Sequence, residues 1–141
     1  MTPDDLARVH ARCFTTPAPW TASGFADLLA SPFVFLEHRA EGRAFVLGRV
    51  IADEAELLTI ATLPEVRHQG HGRALMLAFE ATARARGATT AFLEVAETNT
   101  AAQMLYKATG FTQQGRRKGY YVAPEGARID ALLLCKALPP N

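Results

Sequence analysis

An apolar, strand-like run, Leu57-Leu58-Thr59-Ile60-Ala61, leads through Arg67-His68-Gln69-Gly70-His71-Gly72-Arg73 into an Ala/Leu-rich helical run from Ala74 to Arg86. This strand, glycine loop and helix constrain the fold more than any other segment. A glycine-bearing loop at the start of a helix exposes unpaired backbone N–H groups at the positive end of the helix dipole. Such a site suits phosphate oxygens. Gly70 and Gly72 allow close approach of the backbone to a ligand, and Arg73 adds positive charge at the helix start. A strand-to-helix turn can also carry glycine for steric reasons alone, so the loop needs support from the rest of the chain.

The flanking sequence sets that loop in an α/β domain. Asp4 to Phe14 reads as a helix with Leu6, Val9, His10 and Cys13 on one face. Pro17-Ala18-Pro19 breaks it, Thr21 caps a second helix to about Ala30, and Trp20 stands where a hydrophobic staple would. Phe33–His38 and Ala44–Ile51 read as a hairpin around Ala40-Glu41-Gly42. Ala55–Thr62 is a third strand, Gly87 ends the central helix, and Thr90–Val95 is a fourth strand. Asn99–Ala108 is a short helix stopped by Gly110, and Phe111–Tyr121 pairs with Arg128–Lys136. The order α-α-β-β-β-α-β-α-β-β predicts a mixed sheet, mostly antiparallel, with one right-handed parallel β-α-β crossover. No repeat or linker divides residues 1–141, so a single domain is expected.

Totals exclude several classes of function. Hydrophobic residues make up 49% and charged residues 21%, which is the balance of a globular protein. A formal net charge of +1 gives no long-range attraction to nucleic acid or anionic membrane. Cys13 and Cys135 form neither a metal-type spacing nor a disulfide framework, so reduced thiols and a cytoplasmic location are expected. His10 and His38 lack the companions a metal site needs, and no metal is expected. The first residues show no basic segment followed by an apolar one, and no apolar run reaches the roughly 18 residues of a membrane span.

Two phosphate-binding rivals fail. Gly70-x-Gly72-x-x-Leu75 approaches a dinucleotide fingerprint, with Glu94 near the place of a ribose-binding acid. Leu75, however, occupies a position that needs Gly or Ala, and too little chain follows Glu94 for the remaining sheet and a substrate domain. No Gly-Lys-Ser/Thr follows, which excludes a P-loop.

Glu94 sits near the end of a strand expected beside the glycine-loop strand, where ligands bind in parallel sheets. Alternation sets Phe92 and Glu94 on one face and Leu93 and Val95 on the other. Tyr106, on the next helix, can return its phenol to the same cleft. A carboxylate can take the proton that an amine nucleophile must lose, directly or through water, and a phenol can protonate a leaving thiolate. The pair suits acyl transfer from a thioester to an amine. Either residue also has an ordinary reading, Glu94 as a polar strand end and Tyr106 as core.

Arg67-x-x-Gly70-x-Gly72 resembles the acyl-CoA pyrophosphate motif of the GNAT acetyltransferase superfamily. Asn99-x-x-Ala102-x-x-Leu105-Tyr106-x-x-x-Gly110-Phe111 resembles its second cofactor-side motif, and the likeness runs from about Leu6 to Leu138. Pro19-Trp20-Thr21, Leu93-Glu94-Val95, Arg116-Arg117 with Tyr120-Tyr121, and the last strand after Gly126 look most like the ribosomal-protein-alanine N-acetyltransferases of RimI type. The resemblance implies the GNAT acyl-CoA N-acyltransferase fold, acetyl-CoA as donor, Glu94 as proton acceptor and Tyr106 as proton donor. It implies that Ile60, Ala61 and Thr62 meet the pantetheine arm through backbone groups. It further implies that His68, Gln69, Gly70, His71, Gly72 and Arg73, with Arg67, cradle the pyrophosphate and that Asn99 touches the cofactor. The implied acceptor is a protein N-terminal amine, such as the alanine of a small-subunit ribosomal protein, met by a monomer or homodimer without nucleic acid or membrane. A small-molecule amine acetyltransferase and a non-enzymatic acyl-CoA sensor are the alternatives.

The chain departs from that pattern at three places. Gly119 adds a residue between Arg116-Arg117-Lys118 and Tyr120, Val122-Ala123 replaces a proline-containing continuation, and His71 stands where an apolar residue is typical. The rings of His68 and His71 are expected to face solvent, and Arg116-Arg117-Lys118 to form a solvated turn. Tyr120, Tyr121 and Trp20 are expected to divide between groove wall and packing. Cys135 reads as an inert thiol, so direct attack without an acetyl-enzyme is expected.

Overall fold

A computed structural model describes residues 1–140. Helix α1 (Pro3–Cys13) starts at a capping box: the Thr2 hydroxyl accepts from the Asp5 N–H, and the Asp5 carboxylate accepts from the Thr2 N–H. Pro3 fits the first helical turn, where its missing N–H costs nothing. Helix α2 (Ala22–Leu29) is capped by Thr21, whose hydroxyl accepts from the Gly24 N–H at 3.0 Å. Trp20 and Phe25 then meet with ring centroids 5.5 Å apart, the staple read from the sequence.

Strands β1 (Val34–Arg39), β2 (Ala44–Ile51) and β3 (Glu54–Thr62) form an antiparallel meander. Helix α3 (His71–Ala85) crosses over to β4 (Thr90–Ala96), which lies parallel to β3. Helix α4 (Thr100–Ala108) precedes the antiparallel pair β5 (Thr112–Val122) and β6 (Arg128–Ala137). Among the described residues the sheet runs β1-β2-β3-β4-β6-β5, with β3–β4 as its one parallel pair. The expected element order and the single parallel crossover are both present.

Two cores lie on opposite faces of the sheet. Leu75, Met76, Phe79 and Ala83 of α3 pack with Val46, Leu57, Leu93 and Phe111 on one face. Leu6 and Val9 of α1 and Phe25 of α2 pack with Phe45 and Leu47 on the other. Each fully buried Leu or Phe contributes about 2 kcal/mol of transfer free energy, so the helices clamp the sheet from both sides.

The middle of β3 carries an irregularity that matters for the site. Leu47 pairs with Thr59 but Gly48 pairs with Leu57, so Leu58 is an extra residue. The bulge changes which face later residues present: Leu57 belongs to the α3-side core and Ala61 to the α1-side core. Strict alternation would have put both on one side. Pairing of β3 with β4 stops at Glu56↔Phe92, beyond which the two strands part.

Two local expectations are corrected. Helix α3 begins at His71 rather than Ala74, because Gly70 takes φ +83° and its carbonyl accepts the first helical hydrogen bond, from Ala74 N–H at 3.1 Å. Gly72 and Arg73 are therefore first-turn residues, not loop. Arg116-Arg117-Lys118 lies within β5, not in a solvated turn. The added Gly119 sits in a bulge of that strand, where pairing jumps from Arg117↔Ala131 to Tyr121↔Ile129. Its φ of +58° suits glycine, and its N–H donates to the Asp130 carboxylate at 2.8 Å.

Candidate active site

The parting of β3 and β4 opens a cavity of about 300 Å³. Glu94 enters from β4, Tyr106 from α4, Tyr120 and Tyr121 from β5, and His10 and Trp20 from the α1–α2 side. A second groove of about 440 Å³ runs from it towards the start of α3. Ile60, Asn99, Ala102 and Phe14 line both, so the two are continuous.

Glu94 is half-buried. Arg117 Nε lies 3.2 Å from its Oε2, off the N–H axis, so this oxygen has an ionic neighbour and no hydrogen bond. The Arg117 guanidinium also sits over the Tyr120 ring, 5.1 Å from its centroid. Arg116 is tied instead to Asp130 at 2.7 Å and Glu97 at 2.9 Å. Two residues read as a solvated turn are thus held in ion pairs, Arg117 against the cavity residue Glu94.

Tyr106 is buried, with its ring 6.1 Å from Phe111 in the α3-side core. It is both core and cavity wall. Burial, followed by the neighbouring Tyr121, pushes its phenol above the ordinary range. Burial and then the Glu94 carboxylate raise Tyr121 to about 12. The loop between β4 and α4 is held by Gln103, whose side-chain amide donates to the carbonyls of Ala96 at 3.2 Å and Glu97 at 2.8 Å. Asn99 caps α4 by accepting from the Ala102 N–H at 3.2 Å.

The second groove gathers Ile60, Ala61, Thr62, Arg67, His68, His71 and Asn99 on its walls. Gln69, Gly70, Gly72 and Arg73 stand at the α3 end beside it, not on its walls. Among the described residues no side chain caps α3, so the first-turn N–H groups of His71, Gly72 and Arg73 point out of the helix end. Arg67 is oriented by donating to the Thr62 carbonyl at 2.9 Å. The two glycines have different reasons to be there. A side chain at Gly70 would meet nothing within 4 Å, so its positive φ is what needs glycine. A Cβ at Gly72 would lie 3.2 Å from Leu105 Cδ2, so that glycine admits α4. The His71 ring is not free in solvent as expected: its Nδ1 accepts from Arg39 Nε at 3.2 Å. His68 is exposed, with φ +63°.

Sequence reasoning assigned no site role to His10 or Thr59. His10 is 1% exposed and stacks on Phe14 and Trp20. Its Nε2 lies 3.1 Å from Thr59 Oγ1, and its Nδ1 accepts from the Trp20 N–H at 3.1 Å. The signal was a histidine on the apolar face of α1. Only the fold shows what it faces.

Comparison with known proteins places this geometry. Residues 4–111 match the model of the Acetyltransferase (GNAT) family. The chain is 34% identical over 140 residues to the ribosomal protein bS18-alanine N-acetyltransferase of Escherichia coli (strain K12), covering 98% of this chain and 93% of that one. It is 33% identical over 118 residues to the protein of the same name from Haemophilus ducreyi, with 82% and 81% covered. The crystal structure of the ribosomal-protein-S18-alanine N-acetyltransferase from Escherichia coli superposes with a TM-score of 0.84 at 29% identity, over 99% of this chain and 89% of that one.

Proposed function

The chain belongs to the GNAT acetyltransferase family and is an acetyl-CoA-dependent N-acetyltransferase, and on that footing we propose that it acetylates the N-terminal amine of a protein, with Glu94 as proton acceptor and Tyr106 as proton donor. The observation that carries this reading is that both side chains line one cavity at the parting of β3 and β4. The relatives named for alanine of ribosomal protein bS18 make a ribosomal-protein N-terminus the favoured acceptor.

The second groove fits the donor. It combines an uncapped helix end, glycine at the helix start, and the side chains of Arg67 and His71. In this reading the N–H groups of His71, Gly72 and Arg73 hold the diphosphate, with His68, Gln69 and Gly70 shaping the loop that presents them. The backbone of Ile60, Ala61 and Thr62 beyond the last β3–β4 pair is left for the pantetheine arm. Asn99 spends its side-chain oxygen on the α4 cap and keeps its amide N–H groups for the cofactor.

Acetyl-CoA supplies the activated acetyl group, and the chain's residues handle the protons. Glu94 takes the proton the amine must lose, directly or through water. Its Oε2 is buried beside Arg117, which leaves Oε1 to receive that proton. The raised Tyr106 phenol stays protonated at neutral pH and holds its proton for the departing sulfur. Positioning of amine and thioester in one cleft supplies the rest of the rate. Incubation with acetyl-CoA and a panel of N-terminal peptides, lysine-bearing peptides and small amines, followed by mass mapping of the product, tests the reading. Acetyl on the α-amine of an alanine peptide is the expected result. Acetylation of small amines alone would refute the acceptor assignment, and no thiol release with any amine would refute catalysis.

A further inference from the structure

The His10 ring has one consistent proton arrangement. The Trp20 backbone N–H is a donor, so Nδ1, which receives it, carries no proton. The neutral ring then holds its proton on Nε2 and donates it to Thr59 Oγ1, 3.1 Å away. Burial keeps the ring neutral by lowering its pKa to about 4. With one lone pair taken by His10, the Thr59 hydroxyl has its own proton to give. Thr59 is buried and lines the cavity that holds Glu94 and Tyr106. Its side chain reaches the α1 side because the Leu58 bulge sets it on the opposite face from Leu57. A buried hydroxyl proton without an acceptor is costly, so the cavity selects a ligand that brings one.

We propose that His10 orients the Thr59 hydroxyl as a hydrogen-bond donor into the cavity, and that this hydroxyl reads a carbonyl oxygen of the acceptor beside its reacting amine. The inference rests on the reading of this cavity as the acceptor site. It names the chemistry recognised there: an amine followed by an amide or ester carbonyl, as at a peptide N-terminus, rather than a bare alkylamine. Thr59 is the specificity residue, and His10 is a positioning residue acting through it.

Three acceptors of equal length separate the possibilities: an N-terminal alanine peptide, its depsipeptide with an ester in the first linkage, and its (E)-alkene isostere. The depsipeptide keeps the carbonyl and loses the N–H, whereas the alkene loses both. The wild-type enzyme is expected to show about tenfold lower kcat/KM on the alkene than on the peptide, and to treat the depsipeptide as the peptide. Thr59→Ser should keep that preference, while Thr59→Val and His10→Phe should shrink it to about twofold or less. Comparing ratios between enzymes cancels the different basicities of the amines. Nitrogen-15 NMR of the imidazole should show a protonated Nε2 and a bare Nδ1. An unchanged preference in Thr59→Val, a depsipeptide as poor as the alkene, or a proton on Nδ1 would overturn the proposal. Equal rates on peptide and alkene with the wild-type enzyme would overturn it while leaving peptide acetylation intact. Acetylation of none of the three, with thiol release on other amines, would overturn the acceptor reading and this inference together.

Discussion

Tyr106 packs its ring against Phe111 and lines the cavity, so packing holds the candidate acid in place. Tyr106→Phe keeps the ring and removes the proton. The expected outcome is a fall in kcat of about 100-fold, with CoA affinity unchanged by calorimetry. Glu94→Gln should lower kcat by a similar factor and likewise spare CoA binding, since Glu94 lies outside the second groove. A variant of either kind with wild-type kcat would remove that residue's role. Both residues were legible in the sequence because strand-end and helix positions follow from short-range pattern. The Arg117 contact with Glu94 was not. It depends on β5 reaching the site across β6, a pairing between residues distant along the chain.

At the level of elements, glycines decide how the sheet and helices meet. Gly48 on β2 faces Phe35 and Phe79, and a Cβ there would lie 2.5 Å and 2.8 Å from their ring carbons. Rings on a packed core face cannot retreat, so Gly48→Ala should destabilise by about 3 kcal/mol in urea unfolding. The two loop glycines should behave differently. Gly70→Ala forces an L-residue to φ +83°, costing about 1–2 kcal/mol. Gly72→Ala gains helix propensity of roughly 1 kcal/mol, offset by the movable end of Leu105, and should leave stability near that of the wild type. Equal losses at both sites would contradict this assignment. The motif pointed to glycine at both positions, but not to one reason being torsional and the other helix packing.

Across the whole molecule, His10 couples acid stability to the cavity wall. Its imidazole titrates near 6.5 when unfolded and near 4 when folded, because burial disfavours the charged ring. Between those values the unfolded chain binds more protons, so stability rises with pH there and is lost as pH falls. The loss amounts to roughly 3 kcal/mol at most and levels off below the folded value. Unfolding measured above pH 6.5 and near pH 4 should show a smaller acid loss for His10→Phe than for the wild type. The same slope in both would exclude His10 as its source.

The element order, the parallel crossover, the helix cap at Thr21 and the placement of Glu94 near a strand end and Tyr106 on the next helix were determined by the sequence by itself. All depend on periodicity and capping over a few neighbouring residues. The tertiary structure decided the rest: the early start of α3, the bulges at Leu58 and Gly119, and the meeting of His10, Thr59, Glu94 and Arg117 around one cavity. Bulges shift register only relative to a partner strand, and the direction of a buried hydroxyl follows from donors that other elements bring to it. Neither is written in the spacing of the residues themselves.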